Sequence, residues 1–260
     1  MQREYSWKRT LLWVSFYSIA MGFLESAVVV YLRRIYYPYG FDFPLVSMDV
    51  AGVITEITRE LATMIMLLSV SILSGNNGRQ RFAYFLYSFA LWDIFYYVFL
   101  YFLIDWPSSL MTWDILFLIP VSWAGPIITP VIVSFTMIAL ALLILISDTK
   151  NRRLHFNFII WCFFVMGSLL LFLSFIWDYS NYLLEYHNIK ELLHFWDNRA
   201  VYETANNFIP NKFNWFLFMS GEILFVTGIV FLAFRRNSEE KQTPSQPNKE
   251  NPYYHTPLNT

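Results

Sequence analysis

Six long apolar runs constrain this chain more than any other feature of its sequence. Each is long enough for a helix of about 20 residues, the length that crosses the hydrocarbon core of a bilayer. The runs are continuous rather than alternating at every second residue, which favours helices over a barrel. The sequence therefore predicts an all-α membrane protein with about six transmembrane helices in one domain over residues 1–236. The spans lie near residues 11–32, 50–74, 82–104, 126–147, 156–177 and 214–235.

The composition excludes several other classes of protein. Only 14% of the 260 residues are charged, whereas soluble domains are about a quarter charged. This excludes an ordinary cytosolic enzyme, and the long apolar runs exclude a disordered chain. The only cysteine is Cys162, which cannot form an internal disulfide or a multi-cysteine metal site. A net charge of −1 provides no overall field to recruit nucleic acid.

The first span resembles a signal peptide at its start. Arg3, Lys8 and Arg9 precede an apolar stretch that begins at Leu11. The stretch continues to Leu32, which is too long for the apolar part of a cleaved signal. We therefore predict an uncleaved first transmembrane helix.

Basic residues in the loops predict the orientation. With the N-terminus in the cytoplasm, twelve Lys and Arg residues fall on the cytoplasmic side and five on the other side. Such an excess is typical of cytoplasmic loops. We therefore expect both termini to be cytoplasmic. The twelve are Arg3, Lys8, Arg9, Arg79, Arg81, Lys150, Arg152, Arg153, Arg235, Arg236, Lys241 and Lys249, and the five are Arg33, Arg34, Lys190, Arg199 and Lys212.

Three segments outside the spans have their own character. Residues 115–123 are apolar but too short to cross, and prolines flank them, so we predict a short re-entrant or interfacial helix. In the outer loop 178–213, residues 182–196 have apolar side chains at helical spacing, which indicates an amphipathic helix on the outer surface. The polar, proline-containing tail 237–260 is expected to be disordered.

Charged residues inside the spans are the strongest functional signal. A charge at the centre of a membrane helix costs about 2.5 to 3.5 kcal/mol, so such residues face the interior of a bundle and find partners there. With the predicted orientation, most of them fall in the outer half of the membrane, and Asp114 lies nearby in the following segment. The charged residues in the spans are Glu25, Glu56, Arg59, Glu60, Asp93 and Glu222.

The second span suggests how part of this cluster is arranged. Glu56 and Glu60 are four residues apart and share a helix face with Arg59. Two or three carboxylates around one guanidinium leave a surplus of negative charge, which holds protons or binds a cation. The alternative is that Arg59 clamps Glu25 or Asp93 and only fixes helix packing.

A second signal lies in the outer loop. On a helix, His187, Glu191 and His194 would lie within a stripe of about 60°. Imidazole and carboxylate at this spacing can bind Zn or Fe. The alternative is the polar face of a helix lying on the membrane surface.

Several short motifs carry a resemblance to a known group of proteins. Glu56-x-x-Arg59-Glu60, Trp92-Asp93-Ile94-Phe95 and Trp113-Asp114-Ile115-Leu116 resemble a family of uncharacterised bacterial multi-pass inner-membrane proteins. The likeness covers roughly the first half of the chain. It implies a bacterial plasma-membrane setting and brings no activity with it.

Three hypotheses of function follow. The first is a small ion-coupled transporter or permease for a small ion or molecule, in which Glu60 or Asp93 binds the proton and Arg59 is the counter-ion. Its site would be completed by Glu25 and Glu56, with Asp114 and Glu222 nearby. The second is a membrane enzyme that uses a metal at His187, Glu191 and His194 to act on a lipid or quinone. The third is a non-catalytic subunit or assembly factor whose charges are packing clamps.

Overall fold

The computed structural model describes residues 7–149, 154, 156–192 and 198–242. Six helices in this part of the chain are long and apolar enough to cross a membrane. They are α1 (Trp7–Tyr36), α2 (Val50–Ser74), α3 (Gly78–Ile104), α4 (Ile128–Thr149), α5 (Phe158–Tyr186) and α8 (Trp215–Gln242). The protein is thus an all-α, multi-pass membrane protein, as predicted. Helix α8 continues past residue 237, where the tail was expected to begin, and residues 243–260 lie outside the described part.

Helix α3 is at the centre of the first half of the bundle. It packs against α1, α2 and α4, while α5 pairs with α8, and α4 also touches α8. Buried apolar side chains of α1, α3, α4, α5 and α8 form a shared core that includes Val14, Tyr84 and Leu140. This arrangement leaves α2 attached mainly through α3, so the gap between α1 and α2 is available for polar side chains.

The segment between α3 and α4 is a β-hairpin, so the predicted short helix is wrong. Strands β1 (Trp113–Phe117) and β2 (Trp123–Pro126) pair in antiparallel fashion. Pro120 lacks a backbone N–H and restricts Ile119 to extended conformations, which disfavours a helix here. A hairpin satisfies much of its own backbone, and the indole ring of Trp123 stacks on Phe175 of α5, which anchors the hairpin to the bundle.

The helix predicted over residues 182–196 is not continuous in the structure. Helix α5 runs on to Tyr186, and His187 ends it in an extended conformation. Asn188 then begins a new short helix, α6 (Ile189–Leu192), because its side chain accepts a hydrogen bond from the Glu191 backbone N–H. The segment between α6 and α8 also contains α7 (Arg199–Asn206). Residues 193–197 lie outside the described part of the chain.

The hairpin, α7, the 37–49 segment and the adjoining helix ends gather at one end of the bundle. The Tyr202 hydroxyl of α7 donates to Met48 O at 2.6 Å, and Asn206 donates to Ser47 Oγ at 3.1 Å. These contacts join the segment before α2 to the segment before α8. We call this end the hairpin end.

Candidate functional site

Arg59 joins two helices through carboxylates. Its guanidinium donates to Glu56 Oε2 at 2.9 Å within α2 and makes a close ion pair with Glu25 of α1. The hydroxyl of Thr63 also donates to Glu25, at 3.3 Å. We call Glu25, Glu56 and Arg59 the α1–α2 clamp, because their charges hold the two helices across the gap between them.

Glu60 is bound differently, although it is the neighbour of Arg59 in the sequence. Its two carboxylate oxygens accept from the backbone N–H of Leu118, at 3.0 and 3.1 Å. Leu118 lies in the turn of the hairpin, so Glu60 fixes the depth at which the hairpin sits on α2. Within the described residues no basic side chain forms a salt bridge with Glu60.

Asp93 and Glu222 are each held by a hydroxyl of α4. Ser134 donates to Asp93 Oδ2 at 2.9 Å, and Thr136 donates to Glu222 Oε2 at 2.9 Å. These two acids also have no salt bridge among the described side chains. Residues 134 and 136 are about 200° apart around a helix, so the two acids flank α4 on different sides.

A second ion pair lies nearer the hairpin end. Arg33 Nη2 of α1 is 3.5 Å from Asp114 Oδ1 of β1, and the guanidinium lies over the Trp106 ring, 3.6 Å from its centre. Burial raises the pKa of Asp114 to about 6, and the neighbouring Arg33 guanidinium limits that rise. The Asp114 side chain is only 4% exposed, and its Oδ2 makes no hydrogen bond to a described residue. The hydroxyls of Tyr96 and Tyr97 lie close to this carboxylate.

Two adjoining cavities connect these groups. An inner cavity of about 70 Å³ is lined by Glu25, Arg59, Glu60 and Asp93, together with the aromatic rings of α3 and Phe117. An outer cavity of about 230 Å³ continues toward the hairpin end, with Glu56, Arg33 and Asp114 in its wall. The cavities share five wall residues, namely Val29, Arg59, Glu60, Tyr96 and Ile115.

The structure therefore brings together six of the seven residues predicted for the membrane site. Glu25, Glu56, Arg59, Glu60, Asp93 and Asp114 line one or both cavities, whereas Glu222 is not among the residues that line them. Sequence reasoning missed Arg33, which was counted only as a loop charge. It also missed Ser134 and Thr136, although two hydroxyls inside an apolar span are a usable signal for buried acids nearby.

Two of the three residues predicted to bind a metal, His187 and Glu191, belong to a hydrogen-bonded chain. His187 Nδ1 is 3.0 Å from Glu191 Oε2, and His187 Nε2 is 2.8 Å from Thr204 Oγ1 of α7. Both ring nitrogens are thus in use, and His194 lies outside the described residues. Residues 7–149, 154, 156–192 and 198–242 contain no group of three His, Cys, Asp or Glu side chains suited to a metal. The Zn or Fe site remains a prediction.

The hydrogen bond between His187 and Thr204 joins the end of α5 to α7, and its contribution to stability can be tested. We expect Thr204→Val to weaken the attachment of α7 to α5 by about 1 kcal/mol, because the hydrogen bond to His187 is lost, while the second bond of this hydroxyl, to Ala200 O, lies within α7. Hydrogen exchange of the α7 backbone amides should become faster. Thr227→Val is the matched control, because the Thr227 hydroxyl donates to Ile223 O within its own helix, at 2.6 Å, and Thr227 lies on α8 rather than α7. Unchanged exchange in α7 would show that this contact does not hold the segment.

Comparisons of the chain with models of protein families, with curated proteins and with solved structures find no match. The resemblance to bacterial inner-membrane proteins stays a prediction. The roles of the residues therefore have to be argued from the chemistry of the site.

Proposed function

We propose that this protein is a small ion-coupled permease whose site is the pair of cavities at the hairpin end. One observation carries the proposal. Glu60 and Asp93 line the same cavity and form no salt bridge among the described residues, while the neighbouring Arg59 forms salt bridges with Glu25 and Glu56. Unpaired carboxylates within a membrane bundle are typical of proton and ion pathways.

Proton binding at Glu60 would alter the site through the hairpin, because Glu60 accepts a hydrogen bond from Leu118 in the hairpin turn. The ionised carboxylate of Glu60 accepts the Leu118 N–H as a charge-assisted hydrogen bond, which is about twice as strong as a neutral one. Protonation of Glu60 removes that charge and weakens the hold of α2 on the hairpin. The hairpin turn would then be freer to move at the entrance to the inner cavity, and binding of an ion would be coupled to access.

The proposal also places Arg59 in a supporting role. A guanidinium bound to two carboxylates has little capacity left for a substrate anion. Arg59 holds α1 and α2 at the separation that leaves the inner cavity open, and Glu60 and Asp93 are the acids that bind the coupling ion. In this proposal Glu60 and Asp93 serve transport, whereas Glu25, Glu56 and Arg59 hold the helices together.

Transport is tested with purified protein in liposomes that contain a pH-sensitive dye. Amines, amino acids, carboxylates and sugars are added outside in turn, and we expect at least one class to change the internal pH. Glu60→Gln and Asp93→Asn should abolish that signal with normal protein yield, because each removes an ionisable group and keeps a hydrogen-bonding side chain. Arg199→Gln is the control, because Arg199 is 91% exposed on α7.

Two outcomes would overturn the permease. One is the absence of any solute-dependent pH change in the wild-type protein. The other is a signal that survives in both acid variants, which would show that Glu60 and Asp93 are not the coupling groups. Loss of protein yield in both variants, with no pH signal in the wild type, would favour the subunit hypothesis, in which every buried charge is structural.

A further inference from the structure

We propose that the substrate of this site is an amphiphilic organic cation, a protonated primary amine that carries a short apolar tail. This inference rests on the proposed function and deepens it, because it names the class of solute. Its ammonium group would lie where the two cavities adjoin, near Glu60, Asp93 and Asp114, and its tail would fill the outer cavity.

The charge of the walls selects a cation. The two cavities together are lined by five carboxylates and two guanidinium groups, a surplus of three negative charges when all are ionised. Both guanidinium groups already face carboxylates, since Arg59 binds Glu25 and Glu56 and Arg33 lies beside Asp114. An anionic solute would therefore meet uncompensated carboxylates, whereas an ammonium group would neutralise one of them.

An independent observation shows a position where a hydrogen-bond donor is missing. Asp114 lines the outer cavity, and its buried Oδ2 makes no hydrogen bond to a described residue, although the hydroxyls of Tyr96 and Tyr97 lie close to the carboxylate. A buried carboxylate oxygen without a donor is costly. A primary ammonium group has three N–H donors and no acceptor, so it can satisfy such an oxygen together with a second carboxylate.

The shapes of the cavities match the two parts of an amphiphile. The inner cavity, of about 70 Å³, combines Glu60 and Asp93 with the rings of Trp92 and Tyr96. Aromatic faces stabilise a desolvated ammonium group by cation–π attraction. The outer cavity, of about 230 Å³, has apolar side chains around most of its wall, namely Leu32, Phe41, Leu45, Val46, Val53 and Phe208.

Glu60 and Asp93 would both bind the ammonium group and exchange it for a proton. The proton leaves Glu60 or Asp93 when the ammonium group arrives, and it returns when the ammonium group departs. Release of the proton breaks the O–H bond of that carboxylic acid and passes the proton to water, and the bond forms again when the ammonium group departs, so the charge of the site is the same in both states. The expected cycle is an exchange of one organic cation for a proton.

The test is calorimetric titration of the detergent-purified full chain with butylamine, pentylamine and hexylamine. Hexanol, hexanoate and 6-aminohexanoate are the comparison ligands, and protein-free micelles give the partition background. We expect hexylamine to bind roughly 10 to 100 times more tightly than hexanol, the range given by a hydrogen bond to a charged group. Each added methylene should tighten amine binding about fourfold until the outer cavity is filled.

Variants locate the head group. Glu60→Gln and Asp93→Asn should each weaken hexylamine binding about tenfold or more, and Val53→Trp should remove the gain with chain length by filling the outer cavity. Glu222→Gln is the matched control, because Glu222 is a buried acid that is not among the residues lining the cavities. It should bind hexylamine as the wild type does.

The outcomes separate this inference from the permease itself. Tighter binding of hexanoate or 6-aminohexanoate than of hexylamine would overturn the cationic substrate, and a proton-linked signal from another solute class would leave the permease intact. Hexylamine binding that is equal in wild type, Glu60→Gln and Asp93→Asn would place the ligand elsewhere and overturn the inference. Specific amine binding with no pH signal in liposomes would support the site and overturn transport.

Discussion

Arg59→Gln should destabilise the protein by about 3 to 5 kcal/mol, the range for breaking a buried ion pair from one side. The variant leaves Glu25 and Glu56 facing each other across the α1–α2 gap without the guanidinium that now binds both. Each carboxylate side chain is largely buried, at 11% and 12% exposure. Neither can recover its hydration without separating the helices.

The measurement is the free energy of unfolding in mixed micelles, obtained by titration with a denaturing detergent. Arg199→Gln is the matched control, because Arg199 and Glu203 form an exposed pair four residues apart on α7, which is worth about 0.3 to 0.5 kcal/mol. A triple variant that also carries Glu25→Gln and Glu56→Gln should recover most of the loss, since it leaves no uncompensated charge. If Arg59→Gln and Arg199→Gln were equally stable, the α1–α2 clamp would not hold the helices.

Gly221→Val should destabilise the protein by about 3 kcal/mol, at the upper end of the usual cost of overpacking. Gly221 lies where α8 crosses α5, and a Cβ atom there would be 2.9 Å from Gly167 O and 2.9 Å from Leu171 Cγ. Small residues let membrane helices approach until their backbones touch. Since the obstacle is backbone rather than the end of a flexible side chain, α8 must move away from α5.

Thermal unfolding of the purified protein, monitored by circular dichroism, checks this expectation. Gly78→Ala is the control, because Gly78 begins α3 and a Cβ there would meet no atom within 4 Å. Gly78→Ala should keep the wild-type melting temperature, and Gly221→Val should lower it by several degrees or prevent folding. Equal melting temperatures would mean that α5 and α8 can separate at little cost.

The two stability predictions and the two functional proposals concern different residues. Arg59 and Gly221 hold helices together, whereas Glu60 and Asp93 line the inner cavity and are free of salt bridges within the described part of the chain. A loss of yield is therefore expected from the first pair and a loss of the pH signal from the second. Measuring protein yield and the pH signal for each variant therefore distinguishes residues that hold the helices from residues that take part in transport.

Local chemistry allowed much of the site to be predicted from the sequence. Charges in apolar spans are costly, so Glu25, Glu60 and Asp93 were expected to turn inward. The spacing of Glu56 and Arg59 at three residues was enough to predict their contact, because it depends only on helical geometry. The ion pair between Arg33 and Asp114 was not predicted, since it joins α1 to the hairpin and depends on how far the hairpin enters the bundle.

Predictions that required a precise backbone path were less successful. The apolar segment 115–123 was expected to be helical, but Pro120 and pairing with β2 favour a hairpin. Helical periodicity over residues 182–196 was real in its first part, where α5 continues to Tyr186, but Asn188 starts a new helix instead of extending it. The helix cap formed by Asn188 therefore had more influence on the backbone than the apolar periodicity of the whole segment.

The class of this protein and the number of its spanning helices could be predicted without the structure, because apolar length and the cost of exposed backbone in hydrocarbon leave few alternatives. The charges that had to lie inside the bundle could be predicted in the same way. The partner of each acid, whether Arg59, a hydroxyl of α4 or the hairpin, became known only from the packed helices. Those partners depend on the rotation and depth of each helix relative to its neighbours, which are set by packing across the whole bundle and not by any one span.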